Sequence, residues 1–446
     1  MEASVVDGGT APRKLFGTDG VRGVAGEFLS AGLATALGRA AAAISPAEAP
    51  QVLIVRDTRE SGEMLEAALA AGVAAGGGHA LLGGVLPTPG ASLLVRRYGF
   101  DLAAVVSASH NPYQDNGIKF FGPEGTKLDD SQEAEIERLL GEPAAARLGR
   151  VRELHGAPAD YLRELEARFA DLRLDGVKVL LDCANGATHR VAPEIFRRLG
   201  AQVDAVAVEP DGRNINHGCG STHLELLQGA MADGDHELGF AFDGDGDRVL
   251  AVDRTGAVVD GDELIALAAL HLREHDRLPG NGVAVTVMTN YGFHQAMREH
   301  GVEVATTDVG DRNVLGELLQ RGWALGGEQS GHIIDTGFVP AGDGTAAALL
   351  VLEALAGGDL AERHAMEKLP QRLVNVRVSD PKALDDSEEV WAAVNSASTR
   401  LEGRGRVLVR SSGTEPLIRI MVEAPHEEEC EEIVQSLAKT VESCLR

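Results

Sequence analysis

Short apolar runs alternate with helical patterns along most of the chain, and this alternation limits the fold more than any other feature. An apolar run at 52–55 precedes a helical pattern at 63–75, and a further run follows at 102–106. The alternation restarts at 177–181 and again at 283–287. Strands that alternate with helices form βαβ units with mainly parallel pairing. The sequence therefore predicts three successive α/β units.

The C-terminal part has a different pattern. Strand-like runs at 373–378, 407–410 and 417–423 come before one closing amphipathic helix at 427–445. This order favours an α+β unit over another βαβ series. The expected fold class is α/β, with three consecutive α/β domains, whose sheets are mixed or mainly parallel, and a C-terminal α+β domain. The four domains are expected to surround a central cleft.

Linkers are predicted at 141–158, 253–262 and 357–370, where turn-forming and polar residues cluster. We expect each of the resulting domains to contribute one polar loop to the cleft. The expected domain limits are 1–150, 151–255, 256–365 and 366–446.

Composition excludes several functional classes. The chain has 446 residues, 44% of them apolar, so it can bury a substantial core. With 41 Lys and Arg against 68 Asp and Glu, the net charge is −27, which disfavours binding to nucleic acid or a membrane surface. There is no apolar run of membrane-spanning length and no leader-like segment, and the four cysteines lack CxxC spacing. We expect a cytoplasmic protein that binds any anionic substrate through local cations, a metal or backbone amides.

The first polar motif, at 107–112, follows a buried strand directly, where α/β folds place their sites. The Ser109 hydroxyl could act as a nucleophile or a phosphate carrier. His110 could bond to a phosphoryl group or act as a base, and Lys119, in the next strand, could reach the same place. No GxSxG surrounds Ser109, which argues against a hydrolase elbow. An ordinary strand-to-turn loop remains the alternative.

The second motif contains three aspartates at alternate positions, Asp243, Asp245 and Asp247. Oxygen ligands of this kind favour Mg²⁺ or Ca²⁺. A calcium hand needs Gly at its sixth position, where Arg248 stands. We therefore expect a divalent-ion site with open positions for a phosphate oxygen, and Arg248 as a forked phosphate donor. A solvated acidic turn is the alternative.

Two further glycine-rich loops carry binding groups. Glu328 and Ser330, with His332 close by, would lie on one side of an extended loop and suit a ligand rich in hydroxyls, such as a sugar. The alternative is a glycine-rich β-turn with incidental polar residues. The other loop offers small residues, hydroxyls and two guanidinium groups for a phosphate, namely Arg410, Ser411, Ser412, Gly413, Thr414 and Arg419. A plain hairpin loop is the alternative there.

Together these loops supply a hydroxyl, a metal-binding site, a sugar-binding site and a phosphate-binding site. Arg22, in the glycine-containing segment 17–23, could also reach an anion. Neither a P-loop nor a dinucleotide-binding fingerprint is present. The combination predicts phosphoryl transfer on a phosphorylated polyol without ATP.

The motifs at 14–23, 107–121, 243–248, 326–332 and 410–423 resemble, in order, those of the α-D-phosphohexomutase family. The resemblance covers essentially the whole chain. One branch of this family acts on glucosamine phosphates. Its sequences are similar to this chain at 328–332, where Gln329 is the second residue, and at 214–216 and 219–223. The chain departs at Ser411, where the family often has proline.

The resemblance implies a reversible exchange of glucosamine 6-phosphate and glucosamine 1-phosphate, on the route to UDP-N-acetylglucosamine. It implies that Ser109 is phosphorylated and passes through a 1,6-bisphosphate intermediate. One Mg²⁺ is implied at Ser109, Asp243, Asp245 and Asp247. Lys119 and His332 become candidates for acid/base work, with Lys119 preferred because a neighbouring arginine and Mg²⁺ would lower its proton affinity. The remaining implied site residues are His110 and Arg22 for catalysis, and Arg248, Glu328, Ser330, Arg410, Ser411, Ser412, Gly413, Thr414 and Arg419 for substrate binding.

Three other functions stay open. The chain could be a phosphomannomutase or phosphoglucomutase, a non-catalytic phosphosugar-binding relative, or a serine-dependent phosphatase. The expected partner is a small phosphosugar, with no nucleic acid and no membrane, and a homodimer is left open. The sugar preference, the released products and the phosphorylation of Ser109 distinguish these functions.

Overall fold

The computed structural model describes residues 15–17, 19–142, 147–411 and 416–445. These residues form sheets of six, five, four and three strands in chain order. The first three sheets mix parallel and antiparallel pairs, and the fourth is antiparallel. The predicted class, three α/β domains followed by an α+β domain, is confirmed.

The first domain contains a mixed sheet with helices on both faces. Its elements are β1 (Val21–Val24), α1 (Ala31–Ile44), β2 (Gln51–Arg56), α2 (Gly62–Ala75), β3 (His79–Val85), α3 (Thr88–Tyr98), β4 (Leu102–Val106), β5 (Asp115–Phe121), α4 (Asp130–Leu139) and β6 (Val151–Glu153). The strand order is β1-β5-β4-β2-β3-β6. Every residue of β4 is buried, as expected for an inner strand covered on both faces. Residues 107–112, called the serine loop below, leave the carboxyl end of β4.

In the second domain, the loop at 243–248, called the aspartate loop below, connects the two strands of a hairpin. Its elements are α5 (Ala157–Arg168), β7 (Lys178–Asp182), α6 (Val191–Arg198), β8 (Gln202–Val206), α7 (Glu225–Asp233), β9 (Leu238–Phe242), β10 (Val249–Asp253) and β11 (Val258–Val259). The strand order is β11-β10-β9-β7-β8. Because β9 and β10 pair antiparallel from Phe242 and Val249 onwards, residues 243–248 form the connection between them.

In the third domain, the loop that contains Glu328 and Ser330 also connects two antiparallel strands. Its elements are α8 (Gly261–Glu274), β12 (Gly282–Thr286), α9 (Tyr291–Glu299), β13 (Glu303–Thr307), α10 (Asp311–Arg321), β14 (Leu325–Gly327), β15 (Ile333–Asp335) and α11 (Gly344–Leu355). The strand order is β13-β12-β14-β15. Residues 328–332 connect the antiparallel pair β14 and β15.

The fourth domain is a small antiparallel sheet covered by two helices. Its elements are β16 (Gln371–Arg377), α12 (Glu388–Arg400), β17 (Arg406–Ser411), β18 (Leu417–Glu423) and α13 (Glu427–Leu445). The strand order is β16-β18-β17. Buried residues of α13 recur at helical spacing, and Cys430, Val434 and Leu437 are examples. This is the α+β unit that the sequence predicts.

The buried apolar residues form separate clusters, one of which extends over three domains. One cluster runs through the first three domains and includes Val105, Phe240 and Val285. The fourth domain has a core cluster of its own, around residues such as Ile420. Its contacts with the third domain include a polar one, in which the backbone N–H of Tyr291 donates to the Glu423 carboxylate at 2.9 Å. The first three domains are thus joined by buried apolar area, which stabilises them as one packed body.

Two predicted linkers are wrong in part. The segment 141–158 contains β6, which pairs with β3 in the first sheet, and the segment 253–262 contains β11, which pairs with β10. Strands of two or three residues carry too few side chains to produce an apolar run, and all three residues of β6 are exposed. Sequence patterns also give little sign of the strand at 325–327, because its last two residues are glycines without an apolar signal.

The four cysteines are free thiols. Within the described ranges, no helix combines the length and the apolar character that crossing a bilayer requires.

Candidate active site

The serine loop and the aspartate loop meet, although they belong to different domains. The Ser109 hydroxyl donates a hydrogen bond to Asp243 Oδ2 at 2.5 Å, and the two residues lie 134 positions apart in the chain. Both side chains are buried. The hydroxyl expected to carry a phosphoryl group therefore lies at the edge of the expected metal cage.

The serine loop is held in an unusual conformation. Ser109 has φ +52°, in the left-handed region that few residues other than glycine adopt. Its N–H donates to Ser107 Oγ at 3.0 Å, and the Ser107 hydroxyl donates to Asp57 Oδ2 at 2.6 Å. The fully buried guanidinium of Arg59 donates to the carbonyls of Ser109 and Asn111, each at 2.8 Å. These bonds turn the Ser109 side chain towards the second domain.

The three aspartates lie close enough together to hold one cation. Asp243, Asp245 and Asp247 are buried, and one carboxylate oxygen from each lies within 4.8 Å of the others. Burial and the charges of the other two aspartates raise the pKa of Asp243 well above its ordinary value. Among the described residues, Oδ1 of Asp245 and Oδ1 of Asp247 are buried without a hydrogen-bond donor. Buried, unpaired carboxylate oxygens are unfavourable unless a cation binds them, so this cluster can hold a metal ion.

Lys119 lies among carboxylates. Its Nζ is 2.8 Å from Asp245 Oδ2, 3.4 Å from Asp19 Oδ2 and 3.8 Å from Asp247 Oδ2. Burial acts to lower the pKa of Lys119, but the three carboxylates outweigh it and raise that pKa. The expectation of a lowered proton affinity, which depended on an arginine and a bound ion, stays a prediction, because the carboxylates act in the opposite direction. That expectation rested on the neighbouring arginine and the ion, whereas packing also brings three carboxylates next to Lys119.

His110 and Arg22 lie near the same cluster. His110 Nδ1 is 3.3 Å from Ser109 Oγ, and burial together with the positive charges of Arg248 and Arg22 lowers the pKa of His110. Arg22, in β1, forms an ion pair with Asp19. A neutral imidazole beside the hydroxyl and a cation nearby can both act on a phosphoryl group.

The third domain adds His332 to the cage. Its Nδ1 lies 3.7 Å from Asp247 Oδ2 and its Nε2 lies 3.8 Å from Asp311 Oδ2. Burial acts to lower the pKa of His332, but the two carboxylates raise it. The backbones of His332 and Arg248 form an antiparallel bridge, and the N–H of Arg248 donates to Asp243 Oδ1 at 3.2 Å. Three loops from three domains are thus joined.

Glu328 and Ser330 occupy a turn, so the expectation of an extended loop is wrong. The N–H of Gly331 donates to the Glu328 carbonyl at 3.0 Å, and Gly331 has φ +89°, which glycine adopts freely. The Glu328 carboxylate is nearly buried and accepts from the N–H of Gly310 at 3.0 Å, whereas Ser330 is exposed. The argument that alternation puts both side chains on one side does not apply to a turn.

The fourth loop is described only at its edges. Arg410 and Arg419 are partners across β17 and β18, and Ser411 ends β17 with its side chain exposed. Both arginines line a small cavity with Met288, which follows β12, so this sheet faces the end of a third-domain strand. The predicted Ser412, Gly413 and Thr414 lie outside the described residues.

Several residues of the site escape sequence reasoning. The segment 57–59 holds the serine loop, and its position after β2 at the same sheet edge was the available signal. The Thr88 hydroxyl donates to Asp245 Oδ2 at 2.7 Å. Lys127 Nζ lies 2.6 Å from Asp311 Oδ2 and so connects the first domain to the third. The Lys127 contact has no local signal, because it depends on how the domains pack.

Known protein families match the chain along nearly its whole length. Models described as phosphoglucomutase/phosphomannomutase α/β/α domains I, II and III match residues 13–146, 159–256 and 260–373, and the model of the C-terminal domain matches 373–440. The chain belongs to the phosphoglucomutase/phosphomannomutase family. The resemblance drawn from the motifs is confirmed.

One similar protein and two similar solved structures illustrate the match to this family. A protein named phosphoglucosamine mutase from Moorella thermoacetica is 52% identical over 438 residues, with 96% of this chain and 98% of the relative covered. A crystal structure of a phosphoglucomutase/phosphomannomutase family protein from Burkholderia thailandensis has a TM-score of 0.81 at 24% identity, covering 96% and 97% of the two chains. N-acetylphosphoglucosamine mutase from Aspergillus fumigatus, in complex with GlcNAc-6P and magnesium, has a TM-score of 0.67 at 18% identity, covering 97% and 96%. The two structures support the fold.

Proposed function

We propose that this chain acts as a phosphoglucosamine mutase, which interconverts glucosamine 6-phosphate and glucosamine 1-phosphate through phosphorylated Ser109. The observation that carries the proposal is the 2.5 Å contact between the Ser109 hydroxyl and Asp243 of the aspartate cage. It is supported by the 52% identity to a relative of that name. A hydroxyl held at a cluster of metal-binding carboxylates is suited to lending and recovering a phosphoryl group.

The reaction proceeds as two transfers. In the first, the bond between Ser109 Oγ and phosphorus breaks while the O1 hydroxyl of glucosamine 6-phosphate bonds to that phosphorus. The hydroxyl proton passes to a base, Ser109 recovers a proton, and glucosamine 1,6-bisphosphate results. In the second, the bisphosphate has turned in the cleft, and its 6-phosphoryl group moves to Ser109 Oγ. The serine proton leaves, O6 is protonated, and glucosamine 1-phosphate and phosphoserine remain.

Asp243, Asp245 and Asp247, with a phosphoserine oxygen, would hold one Mg²⁺. The unpaired carboxylate oxygens of Asp245 and Asp247 support this assignment, as does the magnesium named with the Aspergillus fumigatus relative. Bound there, the ion would neutralise charge on the phosphoryl oxygens. The Asp243 carboxylate, which accepts from the Ser109 hydroxyl, would help to set the direction from which the serine oxygen meets the substrate.

Lys119 and His332 are the proposed proton carriers. Each lies close to Asp247 Oδ2, at 3.8 Å and 3.7 Å respectively, so both border the same space. His110 and Arg22 would contact the phosphoryl group held on the serine loop. These groups act by position and charge, which suits phosphoryl transfer.

The remaining loops would hold the parts of the substrate that do not react. Glu328, Ser330 and Arg248 would contact the sugar and its transferring phosphate. The distal phosphate would lie on the fourth loop, at Arg410, Ser411, Ser412, Gly413, Thr414 and Arg419. We propose the same four domains as before, with the first limit moved beyond β6 and the second beyond β11 because of their pairing.

Turnover and mass measurements test this function. Wild type should convert glucosamine 6-phosphate faster than glucose or mannose 6-phosphate, and intact-protein mass spectrometry should find one phosphoryl group on Ser109. Ser109→Ala should abolish exchange, whereas Ser396→Ala, on the exposed face of α12, should not. Full activity in Ser109→Ala would exclude the phosphoserine mechanism.

The alternatives predict other results. A phosphoglucomutase or phosphomannomutase would prefer glucose or mannose phosphates by a wide margin. A phosphatase would release free phosphate as its main product. A non-catalytic binding protein would bind the phosphosugars without exchange.

A further inference from the structure

Asn216, in the second domain, contacts the serine loop of the first domain. We propose that Asn216 is a positioning residue that holds Ser109 in line with the aspartate cage. The proposal rests on the proposed function, because it concerns the rate of transfer to and from that serine.

The contact consists of two hydrogen bonds from one amide. Asn216 Nδ2 donates to the carbonyl of Ser109 at 2.9 Å and to the carbonyl of Asn111 at 3.1 Å. The side chain is buried, with 6% of the residue exposed. Because Arg59 donates to the same two carbonyls, donors from two domains converge on the backbone of the nucleophile.

The backbone at Asn216 is held in an unfavourable conformation. Its φ is +56°, a value that costs free energy for residues other than glycine, although asparagine tolerates it better than most. The N–H of Asn216 donates to the carbonyl of Ala184 at 2.9 Å, which ties this conformation to the loop after β7. In the described part of the chain, Oδ1 of Asn216 is buried without a donor. The amide is thus positioned for its two donated bonds and leaves its acceptor unused.

The aspartate loop passes through the same place. A Cβ atom at Gly244 would lie 2.6 Å from the Ser109 carbonyl oxygen and 2.8 Å from Asn216 Nδ2, so only glycine fits there. The serine loop, the Asn216 loop and the aspartate loop are therefore packed at backbone distance. A shift of Asn216 would change the placement of Ser109 Oγ relative to Asp243.

This arrangement predicts a particular kinetic effect. No contact of Asn216 described above involves the substrate-binding loops of the third and fourth domains. Its loss should therefore leave ground-state binding almost unchanged and slow the transfer itself, since small misplacements of a reacting atom reduce rates strongly.

Two substitutions separate the side chain from the backbone. Asn216→Gly keeps access to the left-handed conformation and removes both donated bonds. Asn216→Asp keeps the shape and replaces the donating amide with an acceptor facing two carbonyls. The matched control is Asn214→Asp, two residues away, where the amide donates to the carbonyl of Glu209 within its own loop.

We expect kcat for exchange of glucosamine 6-phosphate to fall about tenfold or more in both Asn216 variants, with KM within about threefold of wild type. Asn214→Asp should keep wild-type kcat. The thermal midpoint of Asn216→Gly, measured alongside, should stay close to that of wild type, so that lost folded protein cannot account for the lower rate.

Wild-type kcat in Asn216→Gly would overturn the proposal, because the asparagine would then serve only the backbone conformation. A loss of kcat that merely follows a loss of folded protein in both variants would overturn it as well. If wild type itself exchanges no phosphosugar, the proposed function fails instead. The positioning role of Asn216 is then tested by hydrogen exchange of the Asn111 amide. Exchange should still be at least tenfold faster in Asn216→Gly than in wild type, and an unchanged rate would refute this role.

Discussion

Replacing Arg59 by lysine tests how the serine loop is held. Arg59 is fully buried, and its guanidinium donates to Asp57 at 2.8 Å, to the carbonyls of Ser109 and Asn111 at 2.8 Å, and to that of Asp115 at 2.9 Å. A lysine has one nitrogen and cannot span these acceptors. The three carbonyls would each lose a hydrogen bond, at about 1 kcal/mol each, although those of Ser109 and Asn111 still accept from the Asn216 amide. We expect the loop to open more easily by about 3 kcal/mol, which is about a hundredfold in the opening equilibrium.

Hydrogen exchange of the loop amides measures this opening. The N–H groups of Asn111 and Asp115 donate within the loop, to the carbonyls of Ala108 and Pro112 respectively, each at 3.1 Å. Their exchange should quicken about a hundredfold in Arg59→Lys. Arg56→Lys is the matched control, because that arginine pairs with glutamates of α2 in a more exposed setting and should change exchange less than tenfold. Equal exchange in wild type and Arg59→Lys would refute the reasoning that the guanidinium holds the loop.

Two further predictions concern charges between elements. Lys127 forms ion pairs with Asp19 and with Asp311 across the first and third domains, the latter at 2.6 Å, so a double-mutant cycle of Lys127→Met and Asp311→Asn should give a coupling of about 1–2 kcal/mol in the free energy of unfolding. Additive effects would show that the pair contributes nothing. Burial raises the pKa of Asp343 to about 6, while its carboxylate accepts from the Tyr161 hydroxyl at 2.9 Å. The native carboxyl then holds a proton that the unfolded chain releases, so wild type loses stability as pH rises from about 4 through 6. The free energy of unfolding of Asp343→Asn relative to wild type, from chemical denaturation, should therefore rise by about 2 kcal/mol between about pH 4 and pH 7, and a difference independent of pH would contradict this.

Local patterns in the sequence were sufficient for the architecture and for the chemistry-bearing motifs. The alternation of apolar runs and helical patterns indicates βαβ units because strand and helix periods depend on neighbouring residues. The three aspartates at alternate positions predicted a candidate metal site, and the structure brings their carboxylates together directly after β9. Ser109 was found in the same way, from its place after β4.

Only the tertiary structure decided how these motifs meet. The contact of Ser109 with Asp243 and the clamp from Asn216 each join residues more than a hundred positions apart, and such contacts depend on the packing of whole domains. The direction of the Lys119 pKa was also decided there, because it follows from the charges that packing brings within about 4 Å, and these are not its neighbours in sequence.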